Sequence, residues 1–129
     1  MSEIEILKSA TLSGFIEKFN KATGIDIREF PKGTKIKAIT RNSTYELEIV
    51  DPLERMVDIH GSGNFFHHAT RAHFSGSTST GASLLVQGQI ALGWSMEINY
   101  NGERIITTSV KAIFVNDVPI LKSSSNEIN

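Results

Sequence analysis

The feature that most constrains this chain is a strictly alternating run between Ile90 and Tyr100. Every second residue there is apolar or aromatic, and small or polar residues occupy the positions between them. A period of two residues places one set of side chains on a buried sheet face and the other set on the opposite face. The pair Asn101-Gly102 follows the run and favours a tight turn between antiparallel strands. The pattern therefore predicts a long β-hairpin with Arg104–Phe114 as its second strand.

The register of this hairpin follows from the requirement that its apolar faces coincide. A loop of two residues would set Trp94 opposite Ser109 and leave the apolar face unmatched. A loop of three residues, Asn101–Glu103, sets Trp94 opposite Val110 instead. Because a shift of one residue moves every side chain to the other face, burial favours the second arrangement. We therefore expect a three-residue loop or a β-bulge at this turn.

A second hairpin is predicted earlier in the chain, after the turn signal Pro31-Lys32-Gly33. Lys35 and Lys37 fall on its first strand, and Glu46 and Glu48 fall on its second strand. Opposite charges that face each other across strands stabilise a sheet by up to about 1 kcal/mol per pair. We interpret both Glu residues as members of surface charge pairs rather than as catalytic carboxylates.

Before these strands the spacing of apolar residues is helical. Apolar side chains recur at i, i+3, i+4 and i+7 in Leu12, Phe15, Ile16 and Phe19. This spacing predicts an amphipathic helix over residues 12–23, followed by about six strands over residues 33–121. We predict a mainly β fold of the α+β type, a small antiparallel β-barrel or rolled sheet with this one N-terminal helix. Residues 1–121 would form a single domain, and the polar residues 122–129 a flexible tail.

Composition narrows the classes of function. The chain has 129 residues and no Cys, which excludes disulfides, Cys-based zinc sites and thiol nucleophiles. Its 13 basic and 14 acidic residues give a formal net charge of -1, which argues against a protein that coats nucleic acid. No apolar run approaches the roughly 18 residues of a membrane span, so we expect no membrane partner. A reducing, cytoplasmic location suits a chain without Cys.

All four His residues lie between positions 60 and 73. We consider His60, His67 and His73 as ligands of a divalent metal, because imidazole suits zinc, nickel, copper and non-haem iron. Along one straight strand His67 and His73 would stand ~20 Å apart, so a shared ion requires a bend in the chain. The alternative is that these are surface His residues of a hairpin. No other cofactor is indicated.

Two further segments are candidates for binding. Residues 76–83 are rich in Gly and hydroxyl groups, a composition typical of a loop whose N–H groups can hold an anion. They lack the Lys of a phosphate-binding P-loop, so a plain polar connection is the alternative. The Phe65-Phe66 pair follows a Gly-rich turn and is a candidate contact patch for a partner.

Three short segments are similar to known sequences. They are Thr40-Arg41-Asn42-Ser43-Thr44-Tyr45, Gly76-Ser77-Thr78 with Gly81-Ala82-Ser83, and Ile106-Thr107-Thr108-Ser109. Over residues 33–115 the chain resembles a set of small uncharacterised bacterial proteins of about this length. The resemblance implies a small β-rich cytoplasmic domain and transfers no catalytic residue. Ala82 stands where that pattern has a Gly, and Val110 stands where it has a Pro.

The function that these features favour is a non-enzymatic binding or regulatory module that contacts a protein partner or its own copy. The residues assigned to this contact are Phe65, Phe66, Arg71, Gly76, Ser77, Thr78, Gly81 and Ser83. A small-ligand or metal-binding domain that uses residues 60–73 is the alternative. A nucleic-acid binder is the third hypothesis, and it requires a continuous basic stripe in the fold.

Overall fold

The computed structural model describes residues 24–61, 66–79 and 84–123. Within these ranges the regular structure is β-strand apart from one short 3-10 turn at Ile27–Glu29, which confirms the predicted mainly β fold. The predicted helix over residues 12–23 lies outside the described residues.

The described part of the chain contains ten strands. They are β1 (Gly24–Asp26), β2 (Lys35–Thr40), β3 (Thr44–Asp51), β4 (Met56–Gly61), β5 (Thr70–Thr78), β6 (Leu85–Gln87), β7 (Gln89–Ala91), β8 (Ser95–Tyr100), β9 (Glu103–Val115) and β10 (Val118–Lys122). The predicted number of strands is too low, because strands of three residues such as β6 and β7 are too short to show an alternating pattern.

The predicted flexible tail, residues 122–129, begins inside the sheet, since Lys122 on β10 lies opposite Ala112 on β9. Residues 124–129 are outside the described part.

Eight of these strands form one antiparallel sheet. Its order is β10-β9-β2-β3-β4-β5-β6, and β8 pairs with both β5 and β9. The pairings therefore lead from β9 through β2, β3, β4, β5 and β8 back to β9. This path is possible because β9 is 13 residues long. Its first half pairs with β8 and its second half pairs with β2 and β10.

The interior is formed by the alternation that defines the strands. Along β2 and β3 each buried residue is followed by an exposed or half-buried one, as a sheet with one solvated face requires. The largest fully buried side chains in the sheet are Ile36, Leu47, Ile49, Ile59, Phe74, Met96, Ile98 and Ile113. Truncation of such a side chain to Ala costs about 2–5 kcal/mol, so this face is the main source of stability.

A separate two-stranded ribbon of β1 and β7 packs on β5 through buried polar groups. The hydroxyl Oγ of Ser77 donates to the carbonyl of Gln89 (2.8 Å) and accepts from the N–H of Ala91 (3.1 Å). Asp26, on β1, accepts from the Arg28 side chain and from Nε2 of Gln89 (3.0 Å). Hydrogen bonds therefore join the ribbon to the sheet at a place where consecutive residues of β1, β5 and β7 are all buried.

The first hairpin confirms its predicted charge pairing. Lys35 lies opposite Glu48, and Lys37 lies opposite Glu46. The alternation along both strands is uninterrupted, so the buried face alone determines the register.

The second hairpin corrects the prediction at its turn. Asn101 and Gly102 both have positive φ (55° and 78°), and Tyr100 lies directly opposite Glu103. The loop therefore has two residues with type I′ geometry, and the predicted three-residue loop is wrong. A register shift farther along the strands, between Ser95 and Glu97, moves the pairing by one residue.

Beyond that shift Val110 lies beside Trp94 as predicted, but it forms its bridge with Leu92, so the predicted register does not continue along the strand. The N–H of Val110 donates to the carbonyl of Trp94 (2.9 Å). The predicted strand from Ile90 to Tyr100 is also divided, because a turn at Gly93 (φ 84°) separates β7 from β8. Apolar alternation continues across this break, so the sequence pattern alone does not reveal it.

Candidate functional site

The outer face of the sheet carries a groove of about 340 Å³ over β2, β3 and β4. The charged or titratable side chains that line it are Lys35, Lys37, Glu46, Glu48, Asp58, His60 and Asp117. Ala69, in the segment before β5, lines it as well. The volume falls within the range of small-ligand sites, and apolar residues such as Ile36 and Leu47 line the groove together with the charged ones.

Strand register arranges these side chains in two rows across the sheet. Lys35 faces Glu48, which faces Asp58, which in turn faces Arg71 on β5. In the second row, Lys37 faces Glu46 and Glu46 faces His60. Directly opposed residues have Cβ atoms about 4.5–5.5 Å apart, so each row is a continuous band of neighbouring charges.

Of the cations in or beside the groove, Lys35 faces Glu48, whereas Lys37 and the adjoining Arg71 are engaged by other groups. The Nζ atom of Lys37 lies 4.6 Å from the centre of the Phe114 ring, in a cation–π contact. Nε of Arg71 lies 2.6 Å from Oδ1 of Asp58, and this hydrogen bond raises the pKa of the guanidinium. Both cations therefore have partners other than Glu46 and Glu48.

The remaining carboxylates of the groove are not neutralised by salt bridges. Across residues 24–61, 66–79 and 84–123, the salt bridges are Arg28–Asp26, Arg71–Asp58 and Arg104–Glu97. Glu46, Glu48 and Asp117 belong to none of these pairs. Glu48 also lies opposite another carboxylate, Asp58, an arrangement that destabilises a sheet. Among the described residues the groove lining therefore carries four carboxylates and two lysines, and Glu46 and Glu48 each have a Lys opposite them in the sheet without forming a salt bridge.

The predicted aromatic contact patch is corrected at Phe66. Its side chain is only 2% exposed and packs edge-on against Tyr100, with ring centres 6.2 Å apart. The Phe66 carbonyl accepts from the N–H of Gly61 (2.9 Å), which draws the segment inward. Phe66 is thus a core residue and offers no surface to a partner. Phe65 lies outside the described residues.

The predicted Gly-rich loop is in part a buried strand. Gly76, Ser77 and Thr78 belong to β5 and pair with β6 on one side and β8 on the other. Gly76 is required because any Cβ there would overlap the backbone of Val86. The N–H groups of these residues lie in a ladder between strands rather than in an anion-binding loop. Gly81 and Ser83 lie outside the described residues.

Arg71 is the one predicted contact residue that the described structure places beside the groove. It is exposed and adjoins the groove through Asp58. His60, predicted as a metal ligand, lines the groove directly. The sequence did indicate the groove indirectly, because β2, β3 and β4 each carry charged residues at alternate positions. The sequence predicts only charge pairs for Glu46 and Glu48, because the pattern of one hairpin does not show that β4 lies beside β3.

The predicted His ligands do not meet. His73 lies opposite Met56, four positions along β4 from His60, which corresponds to ~13 Å. His67 is exposed in the segment before β5. In the part of the chain that the structure describes, no three His, Asp or Glu side chains are grouped closely enough to hold a metal ion.

No protein-family model, curated protein or solved structure matches this chain. Among the described residues there is no helix with the length and apolar character needed to span a bilayer.

Proposed function

We propose that this protein is a non-enzymatic binding module whose sheet rolls into a small barrel and presents the outer groove to a basic segment of a protein partner. The observation that carries this proposal is the set of unneutralised carboxylates in the groove. Glu46, Glu48 and Asp117 form no salt bridge within the described structure, and two neighbouring cations are held by Phe114 and Asp58. A cationic guest would complete the charge balance that the sheet itself leaves open.

The spacing of the carboxylates favours an extended guest. Glu46 and Glu48 are two residues apart on β3 and share its outer face, so their Cα atoms are separated by roughly 7 Å. Alternate side chains of an extended peptide repeat at the same distance. A segment with Lys or Arg at every second position therefore places one cation over each carboxylate.

The affinity expected for such contacts is modest. Exposed charge pairs contribute little individually, and salt screens them over about 8–10 Å. The groove would therefore bind a basic segment weakly and most strongly at low ionic strength, as a transient contact does.

A peptide titration followed by amide NMR tests the proposal. The probes are a peptide with alternating Lys and Ser, a peptide of the same composition with its Lys residues in one block, and an alternating Glu and Ser peptide. We expect the basic alternating peptide to shift the amides of β2, β3 and β4 and to bind more tightly than the block peptide. Equal binding of the acidic peptide would contradict a role for the carboxylates.

Matched variants locate the contact. Glu48→Gln should weaken binding of the alternating basic peptide by about twofold to fivefold, because it removes one charge pair. Glu103→Gln, at the exposed turn between β8 and β9, should leave binding unchanged. Sedimentation that shows a dimer dissociated by Glu48→Gln would instead make a second copy of the chain the occupant of the groove.

A further inference from the structure

The turn between β3 and β4 is attached to β5 by one residue, Arg55, through its backbone and its side chain. The Arg55 carbonyl accepts from the N–H of Phe74 (2.8 Å), and Nε of Arg55 donates to the Phe74 carbonyl (3.3 Å). Nη2 of Arg55 lies 3.3 Å from Nε2 of His73. Three contacts thus join a single turn residue to two successive residues of the neighbouring strand.

The backbone conformation of Arg55 is unfavourable, and these contacts help to maintain it. Its φ is 58°, in the left-handed region that side chains other than Gly adopt at a cost. Such a conformation persists only where surrounding interactions over-determine it. Loss of one tertiary contact therefore weakens the hold on the whole turn, which also presents Leu53 with 76% of its surface exposed.

The contact between Arg55 and His73 specifies the state of the imidazole. A guanidinium can only donate, so Nε2 of His73 must accept and the ring must be neutral with its proton on Nδ1. Burial and the positive charge of Arg55 both lower the pKa of His73, while Glu54 acts in the opposite direction. The surroundings thus favour the neutral form that the geometry requires.

We infer that Arg55 and His73 form an acid-sensitive latch that holds the turn between β3 and β4 on β5 and releases it when His73 takes up a proton. Protonation removes the acceptor at Nε2 and sets two cations side by side. The turn and Leu53 then become free to move while the sheet beneath stays paired. This inference is independent of the binding groove.

Other charged groups near His73 on the same face do not replace this partner. By strand pairing and position these are Glu54 in the turn, Asp58 on β4, Arg71 on β5, Glu97 on β8 and Arg104 on β9. Asp58 is paired with Arg71 (2.6 Å), and Glu97 is paired with Arg104 (3.0 Å). Directly across from His73, β8 carries the uncharged Asn99. Glu54 alone favours protonation, and burial and Arg55 together outweigh it.

The direction of the pH effect follows from the lowered pKa. When the latch is open, His73 has its ordinary pKa near 6.5 and binds a proton more readily than when the latch is closed. The latch is therefore fully effective above about pH 6.5. It weakens as the pH falls from about 6.5 to the lower pKa of the closed form, and a further decrease in pH has no added effect.

Amide hydrogen exchange of Phe74 measures the latch, because its N–H bonds to the Arg55 carbonyl. After correction for intrinsic exchange, we expect protection to be lower at pH 5.0 than at pH 7.5. His73→Gln should abolish this pH dependence. His68→Gln, which removes an exposed His from the segment before β5, should retain it. Unchanged protection in the native protein, or the same pH dependence in His73→Gln, would overturn the latch.

A second measurement needs no variant. The ¹⁵N shifts of the His73 ring report which nitrogen carries the proton. We expect the Nδ1–H tautomer at pH 7.5, with Nε2 as the acceptor from Arg55. An Nε2–H tautomer at that pH would refute the latch even if every variant failed to fold.

Discussion

Two Arg–Asp pairs of nearly equal length lie in contrasting parts of this molecule. Arg28 and Asp26 approach to 2.7 Å where the ribbon of β1 and β7 packs on β5. Arg71 and Asp58 approach to 2.6 Å on the groove face. The Asp26 side chain is 9% exposed, whereas that of Asp58 is 34% exposed. Distance alone therefore does not distinguish a structural pair from a surface pair.

The two carboxylates differ in the hydrogen bonds that each would lose if its partners were removed. Asp26 accepts from the backbone N–H, Nε and Nη2 of Arg28 and from Nε2 of Gln89. A buried group left without its partners bears the full cost of desolvation, but an exposed group recovers hydrogen bonds from water. The packing of the ribbon on the sheet thus depends on specific polar contacts, whereas the charges of the groove face remain exposed to solvent.

The largest effect should come from Gly76→Ala, where β6 pairs with β5 next to the ribbon. The added Cβ would overlap the Val86 backbone, and the φ of 147° is one that side chains rarely adopt. We expect a loss of about 3 kcal/mol or more in the free energy of unfolding, measured with urea. Gly33→Ala, where a Cβ meets open space at a φ of 92°, should cost only about 1 kcal/mol. Equal losses from the two substitutions would show that the close approach of the Val86 backbone adds no cost at Gly76.

A smaller effect is expected from Asp26→Asn, compared with Asp58→Asn. The first change places an amide among four donors and leaves Arg28 without its ion pair, so we expect a loss of about 2 kcal/mol in stability. The second change affects an exposed pair and should leave the urea midpoint essentially unchanged. If Asp58→Asn destabilises the protein as much as Asp26→Asn does, burial is not the factor that separates the two pairs.

The smallest of these effects is expected from Ser77→Ala. It removes one donor and one acceptor between β5 and β7, and we expect a loss of about 1–1.5 kcal/mol. Thr70→Ala is the surface counterpart, because the Thr70 hydroxyl bonds to the His68 carbonyl in an exposed position. The free energy of unfolding of the Thr70→Ala variant should change by no more than about 0.5 kcal/mol in the same urea experiment.

The two hairpins show how far sequence reasoning extends. The register between β2 and β3 was predictable because alternation continues without interruption and only one pairing buries Ile36 and Leu47. The register between β8 and β9 was not, because a shift near Met96 compensates for the tight turn at Asn101-Gly102. A bulge changes the pairing without changing the apolar pattern, so the sequence contains no direct sign of where it lies.

The sequence predicts the charged residues of the candidate site but does not predict how they are arranged relative to one another. Charged residues at alternate positions of three strands show that these strands have a solvated face. The order of the strands in the sheet then decides that Asp58 lies beside Glu48 and that His60 and His73 remain apart. Phe66 could not be assigned to the core from its neighbours in sequence, because its burial depends on contact with Tyr100 on another strand.

The sequence by itself determined that this chain forms antiparallel strands, which face of each regular strand is buried, and which charges face each other in the first hairpin. These properties follow from a period of two residues and the need to bury apolar side chains. The tertiary structure alone decided the order of the strands, the packing of the ribbon on β5 and the position of the groove. Those features depend on hydrogen bonds and close contacts between residues distant in the chain, such as Asp26 with Gln89 and Gly76 with Val86, which no local pattern encodes.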